Sequence, residues 1–339
     1  MQYKRIVFTQ PNTAQLLDCE IDLPEQDQVQ VALMVSTISS GTERANIMGS
    51  KTVAWNRPEA AEARFPRYGG YSSSGVITKV GASVTNLAVG DRVALSWSTH
   101  SQLLNISARL VHKLPDSVSF ADGAIAHIAT FPLAAIRKCG LEMGEPAIVM
   151  GQGILGLIAV ALLRANGAAP VIAVDPDSAK REKALRFGAD YALDPYAPDF
   201  AQTVKELTNG GAKVGIEVTG IGAGLDGILD CMARFGRVAL LGCTRNSDFT
   251  IDYYRKVHGP GITLVGAHTN ARPSRNSSEG WWTEWDDFEA ILTLTRLGRI
   301  QLSKMVDEVH SPEEATQIYT RLCTEKTFPL VQFDWRDMS

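Results

Sequence analysis

The stretch from Ala147 to Asp175, AIVMGQGILGLIAVALLRANGAAPVIAVD, constrains the fold more than any other part of the chain. A short apolar run, AIVM, leads into Gly151, Gly153 and Gly156 at G-x-G-x-x-G spacing. An apolar helical run follows, and a second strand-like run, VIAV, ends on Asp175. Strand, glycine turn, helix, strand and acid in that order predict a βαβ unit built around a pyrophosphate. Gly151 permits the tight turn, Gly153 lets backbone approach phosphate, and Gly156 lets the helix lie close on the strand. Ile154 and Leu155 open a helix whose N-terminus faces the phosphate charge. Asp175, nineteen positions after Gly156, can accept hydrogen bonds from an adenosine ribose.

The rest of the chain surrounds this unit with two domains' worth of sequence. At 339 residues, 45% hydrophobic and 21% charged, it exceeds one ordinary core. Its 33 basic and 37 acidic residues give a formal charge of −4 without long single-sign runs, which argues against nucleic acid or an anionic membrane as partner. The start, YKRIVF, reads as a strand rather than a targeting segment, and no apolar run has membrane-spanning length. A cytoplasmic location is expected. Cys19, Cys139, Cys231, Cys243 and Cys323 are scattered without a C-x-x-C pair, so neither a disulfide framework nor a zinc ribbon is indicated.

Up to about Pro115 the pattern is short β-like runs, YKRIVF, VQVALMV, GVITKVG, DRVALSW and ARLVHKL, separated by turn residues. From about Ser119 to Gly266, the strand candidates AIVM, VIAV, VGIEV, RVALL and ITLVG alternate with helical segments, predicting a parallel sheet with crossover helices. A polar loop, NARPSRNSSEG, then precedes WWTEWDDFEAILTLTRLG, the helical PEEATQIYTRL and the strand-like FPLVQFDW. The fold class is therefore α/β.

This order, with VGASVTNLAVGDRV, GVITKVG, IATFPLAAI and RFGRVALLG, resembles the medium-chain dehydrogenase/reductase superfamily of the zinc alcohol dehydrogenase type. The resemblance implies a Rossmann doubly wound parallel sheet over 124–267 and a β-rich GroES-like catalytic domain formed by 1–123 with 268–339. Function is then expected in the interdomain cleft. Zinc-dependent members hold catalytic metal through a Cys, a His followed by Glu, and a later Cys or acid. Here the first position falls on Ser40, the His-Glu pair on Tyr71 and Ser72, and the third on Ala126. Ser, Tyr and Ala are not zinc ligands, so no catalytic zinc is expected; the four-cysteine lobe of the structural zinc is missing too. A rescue set of His127, Glu43 and His100 lacks compact ligand spacing. STISSGTE and GGYSSSG resemble a zinc-free, bacteriochlorophyllide dehydrogenase-like branch, although Ser72 stands where that branch has an acid.

Without metal, hydroxyl donors must stabilise the substrate oxygen and move the proton. The resemblance places Ser40, Thr42 and Tyr71 toward the nicotinamide. Tyr71 is the leading polarising donor or acid/base, Thr42 matches a proton-relay hydroxyl, and Glu43 an orienting acid that pairs with a base such as Arg44. His127 is either an acid/base or a packed, hydrogen-bonded histidine in an apolar stretch. Thr130 resembles the family threonine that approaches the nicotinamide, or is a helix residue with its hydroxyl back-bonded.

Asp175 favours NAD over NADP because a carboxylate repels a 2′-phosphate; Lys180 matches a ribose-contacting position, and Arg181 lies close by. The alternative for Asp175 is a strand-end cap. Val218, Gly220, Gly242 and Gly266 sit at later strand ends, where such a sheet offers backbone to its ligand, or are plain turn punctuation.

Trp55, Trp97, Trp281, Trp282 and Trp285 are candidates for an aromatic substrate wall, with Arg57, Arg67, Arg272 and Asp286 as polar contacts, or are core and interface residues. The resulting expectation is a zinc-independent oxidoreductase passing a hydride between NAD(H) and a secondary alcohol or ketone, such as a polyol or sugar derivative. The alternatives are an enone (C=C) reductase, an NAD-binding sensor without catalysis and, more remotely, a methyltransferase. A homodimer paired through the apolar edge GITLVGAH is expected, with a homotetramer as the alternative.

Overall fold

The computed structural model describes residues 2–53 and 64–338. The chain divides into two compact units, Met1–Ile128 with Ile291–Ser339, and Ala129–Ala290. In the first unit, β1 (Gln2–Gln10), β2 (Thr13–Glu20) and β3 (Gln28–Thr37) precede helix α1 (Ser40–Ile47). Then come β4 (Arg67–Tyr68), β5 (Ser72–Val80), β6 (Arg92–Ser96), β7 (Leu103–Ser107), β8 (Val111–Lys113) and α2 (Phe120–Lys138), whose C-terminal half passes into the second unit. The second unit continues with β9 (Ala147–Met150), α3 (Ile154–Ala165), β10 (Val171–Val174), α4 (Ser178–Arg186), β11 (Tyr191–Leu193), α5 (Phe200–Leu207), β12 (Ala212–Glu217), α6 (Gly222–Asp230), β13 (Met232–Leu240) and β14 (Thr263–Gly266). Helix α7 (Glu284–Arg296) returns the chain to the first unit, which closes with β15 (Glu308–His310), α8 (Ala315–Thr324) and β16 (Val331–Asp334).

The first unit holds a three-stranded sheet, β2-β1-β4, and a seven-stranded sheet in the order β15-β16-β3-β5-β6-β8, with β7 also paired to β3. Inward residues of these sheets, among them Ile6, Phe8, Val29, Val31, Ile77, Val93 and Leu95, share one core with Tyr319, Phe333 and Trp335 from the C-terminal segment. That shared core explains why a unit begun at the N-terminus also takes in Ile291–Ser339.

The second unit is a six-stranded parallel sheet in the order β11-β10-β9-β12-β13-β14. Counted within the unit, this is the doubly wound 3-2-1-4-5-6 order, whose reversal lies between β9 and β12. AIVM and VIAV are buried at every position, as expected of central strands covered on both faces.

The expected bounds of the two domains were 1–123 with 268–339, and 124–267; the compact units divide at Ile128 and Ala290. Residues 268–290 belong with the nucleotide-type sheet rather than with the β-rich unit. Lys138 of α2 donates to the carbonyls of Gly266 and Ala271, while Asp287 binds both Arg137 and Arg272, tying this segment into the second unit. Among the described residues no helix is long and apolar enough to cross a membrane.

Candidate functional site

In the second unit the three glycines do different work. Gly151 takes φ +98°, a left-handed conformation that side chains rarely adopt, and its N–H donates to Val174 O at 2.8 Å. A Cβ on Gly156 would lie 1.8 Å from Gly151 O, so α3 can approach β9 only with glycine there. Gly153, the N-cap of α3, has open space within 4 Å of a Cβ position and is exposed. Ile154 and Leu155 follow as the half-buried first residues of the helix. The loop thus has a closed side facing the sheet and an open side at Gly153.

Asp175 is only 6% exposed, and both its oxygens accept backbone N–H groups, Oδ2 from Gln152 at 2.8 Å and Oδ1 from Asp177 at 2.9 Å. The acid therefore ties the glycine loop to the end of β10, which is the capping role weighed from sequence. Each carboxylate oxygen still has a lone pair for a ligand hydroxyl. Arg181 donates to the carbonyls of Asp175 and Pro176 at 2.7 and 2.9 Å and reaches Asp194 at 3.4 Å. Lys180 is half-buried in the first turn of α4, which Asp177 caps.

The later strand ends meet at the same edge. A Cβ on Gly242 would lie 2.4 Å from Gly220 N and 2.8 Å from Val218 C, so the turns after β12 and β13 are in contact. Gly151 faces Thr219 from the other side, a Cβ there lying 3.0 Å from Thr219 Cγ2. Sequence reasoning missed Glu217, buried at the end of β12. Its carboxylate accepts from Thr219 N at 2.7 Å and from Gly220 N at 3.2 Å, shaping this turn, and burial pushes its pKa up. An acid ending an apolar strand was the available signal. Gly266 lies apart at the end of β14 with open space at its Cβ position.

Thr130, fully buried in α2, accepts a hydrogen bond from Arg272 at 3.4 Å. Arg272 and Arg137 flank Asp287 at 3.4 and 2.5 Å. Burial pushes the Asp287 carboxyl up to about 6 even against the pull of both guanidiniums. Trp282 lies under Arg137 at 4.3 Å and Trp281 under Lys138 at 4.9 Å, while Asp286 accepts from Ser277 and Thr283 at the start of α7. Trp281 and Trp282 are thus engaged by α2 and Asp286 by its own segment, and Trp285 is exposed beside them in sequence.

In the first unit, Tyr71, Trp97 and His127 form an aromatic cluster. His127 is fully buried, its ring edge-on to Trp97 at 4.7 Å and to Tyr71 at 5.8 Å. Trp97 follows β6 at φ +57°, a strained conformation for a bulky residue, and is 41% exposed. The Tyr71 hydroxyl donates to Ser39 Oγ. The structure thus joins Tyr71 to Ser39 and not to Ser40, the residue singled out from sequence. Ser40 and Thr42 are half-buried positions of α1. Ser72 donates to Ala124 O at 2.7 Å and so anchors α2 to β5, while Ala126 is buried on that helix.

Glu43 also departs from expectation. It does not pair with Arg44, which donates to Leu322 O and Glu325 O at the end of α8 at 2.7 and 2.8 Å. Glu43 is 1% exposed and accepts from Ser39 N at 2.8 Å, from His100 Nε2 at 3.1 Å and from the Tyr319 hydroxyl. His100 Nδ1 lies 2.7 Å from Ser36 Oγ, which accepts from Trp335 Nε1 at 2.8 Å. With Nε2–H aimed at the carboxylate, Nδ1 is the acceptor of the Ser36 hydroxyl. Arg67 is held by Arg64 O and Asn46 O at 3.0 and 3.2 Å. Trp55 and Arg57 lie outside the described residues.

Comparison with known proteins follows the division of the chain. Residues 28–139 match the alcohol dehydrogenase GroES-like domain and residues 155–282 the zinc-binding dehydrogenase family. D-guloside 3-dehydrogenase of Escherichia coli is 26% identical over 336 residues, covering 93% of this chain and 95% of its own. L-threonine 3-dehydrogenase of Pyrococcus horikoshii is 25% identical, with 89% of each chain covered. The crystal structure of galactitol-1-phosphate dehydrogenase from Escherichia coli superimposes with a TM-score of 0.84 at 19% identity, covering 98% of this chain and 99% of that one. The chain is a medium-chain dehydrogenase/reductase, an alcohol dehydrogenase-like oxidoreductase.

Proposed function

We propose that this protein is an NAD-linked dehydrogenase of a secondary alcohol, of the polyol or sugar-derivative class, working without zinc and using Tyr71 at the substrate oxygen. The observation that carries the reading is the Tyr71–Ser39 hydroxyl pair beside Trp97 and His127; the sequence resemblance puts Tyr71 at a position where zinc-dependent members have a metal ligand. Curated relatives named for D-guloside and L-threonine support a hydroxylated substrate.

The residues of the second unit fit a dinucleotide. The open side of the loop at Gly153 and the N-terminus of α3 would receive pyrophosphate, and Asp175 and Lys180 the adenosine ribose. Arg181, engaged by two carbonyls and Asp194, is turned to its own loop, which supports NAD over NADP. When bound, the nicotinamide accepts or delivers the hydride.

Zinc does not suit the donors present. Ser40, Tyr71 and Ala126 occupy the ligand positions, and Glu43 and His100 are committed to the buried network with Tyr319 and Ser36. Among the described residues no three His, Cys, Asp or Glu gather as a metal-binding group. The work left to the chain is to orient the substrate and move one proton. As the phenol, Tyr71 gives its proton to the carbonyl oxygen during reduction; as the phenolate, it takes up the hydroxyl proton during oxidation. Trp97, at its positive φ, and the buried His127 pack on each other and flank the phenol from one side.

A cytoplasmic homodimer completes the proposal. Its five free cysteines suit a reducing compartment, and β14 is an edge strand of the six-stranded sheet with backbone groups open to a second copy. The test of function is Tyr71→Phe. Turnover of secondary alcohols, followed at the nicotinamide absorbance, is expected to fall about 100-fold with NADH binding retained. Unchanged turnover would refute the assignment.

A further inference from the structure

We propose that Ser39 positions the Tyr71 hydroxyl and stabilises its phenolate; the inference rests on the reading of Tyr71 given above. Ser39 is the N-cap residue of α1, at φ −93° and ψ 90°. A serine at that place ordinarily turns its oxygen onto the free N–H groups of the first helical turn, and the helix gains stability from the bond. Ser39 makes no such bond. Its Oγ instead accepts the hydroxyl of Tyr71, thirty-two positions along the chain, in surroundings that leave the serine only 5% exposed.

A second group fixes the serine backbone so that its hydroxyl is released from capping. Glu43, one turn into α1, takes the Ser39 N–H on Oε1, while its Oε2 is held by His100 and Tyr319. Glycine at position 69 leaves the room that Oε2 occupies, since a Cβ there would lie 2.9 Å from it. Glu43 and His100 are thus positioning residues at one further remove, acting through the Ser39 backbone.

The chemistry follows from the two hydroxyls. In the ligand-free protein the Tyr71 hydrogen points to Ser39; a bound carbonyl oxygen takes that O–H in place of Ser39. A serine hydroxyl both accepts and donates, so when Tyr71 gives its proton to a carbonyl oxygen, Ser39 O–H turns and donates to the phenolate. The proton lost by Tyr71 is the one gained by the carbonyl oxygen, and water restores it after product leaves. Ser40 and Thr42, on the helix proper, take no part in this exchange.

The test is an ultraviolet difference titration of phenolate absorbance on the intact, ligand-free protein, with the Tyr71 step defined as the one absent in Tyr71→Phe. In Ser39→Ala that step is expected to move upward by about one pH unit, because the phenolate loses a hydrogen-bond donor, and Ser39→Thr is expected to restore it. In the Tyr71→Phe background, Ser39→Ala should leave the titration unchanged. With a secondary alcohol that supports turnover, kcat of Ser39→Ala should fall about tenfold with KM held within threefold. A Tyr71 step that stays in place in folded Ser39→Ala overturns the proposal. If Ser39→Ala does not fold, Ser39→Gly removes the same hydroxyl while keeping an accepted N-cap residue, and is read by the same two outcomes. Full turnover in Tyr71→Phe would defeat the catalytic reading of Tyr71 and leave the titration to decide the Ser39 bond alone.

Discussion

Gly156→Ala and Gly153→Ala separate what holds the fold from what would hold the ligand. At Gly156 a Cβ would sit 1.8 Å from Gly151 O, whereas ordinary contact begins near 3.4 Å, so α3 must retreat by roughly 1.6 Å. That helix is buried at every position from Gly156 to Leu163, so its retreat opens the core along its whole length. Overpacking of this kind costs about 3 kcal/mol or more, which thermal and urea unfolding should report. At Gly153 a Cβ meets nothing within 4 Å and φ is −73°, so alanine is conformationally allowed. The loss of glycine's N-cap preference and the reduced entropy of the unfolded chain each contribute about 0.5 to 1 kcal/mol with opposite signs, leaving stability nearly unchanged. The same methyl occupies the space assigned to pyrophosphate. NADH affinity, measured by fluorescence titration, is expected to weaken at least tenfold, about 1.4 kcal/mol. Wild-type NADH affinity in Gly153→Ala, or wild-type stability in Gly156→Ala, would refute the division of labour.

Removing the Asp287 carboxylate leaves two guanidiniums without their buried counter-charge, so Asp287→Ala should cost about 3 to 5 kcal/mol in urea unfolding. A loss below about 1 kcal/mol would show that Arg137 and Arg272 find other partners. Asp175→Ala should weaken NADH binding about tenfold and lower stability slightly, since two backbone N–H groups lose their acceptor; equal affinity for NADH in mutant and wild type would count against the ribose contact. Glu308, bonded to Arg321 and His310, has its carboxyl held down to about 2 from 4.5. A lowered carboxylate pKa adds stability that is complete above 4.5 and is lost as pH falls toward 2. Discounted for partial exposure this is about 1 kcal/mol, so Glu308→Gln should lower the melting temperature at pH 6 and lose the difference near pH 2; a constant difference would refute it.

The nucleotide-type unit was legible because its determinants are local. Gly156 and Gly151 are five positions apart and meet at contact distance, and Asp175 reaches back only to Gln152. Glu217 was readable by the same rule, an acid ending an apolar parallel strand, and was passed over. The first unit resisted because its polar network is assembled across the chain. Tyr319 meets Glu43 from 276 positions away, and Trp335 meets Ser36 from 299. No spacing rule connects such pairs. Counting along STISSGTE could align Ser40 with a metal-ligand position, but the bond from Tyr71 to Ser39, whose N–H is taken by Glu43 and Glu43 in turn by His100, joins residues that no spacing connects. The tie of Asp287 to Arg137, 150 positions earlier, is of the same long-range kind.

The proposed zinc-free chemistry at Tyr71 has one direct test: turnover of a secondary alcohol with NAD before and after exhaustive chelation, with zinc content measured on the same samples. Equal rates and far less than one zinc per chain are expected in both. Stoichiometric zinc in the active protein, with activity lost on chelation and restored by zinc alone, would contradict the proposal.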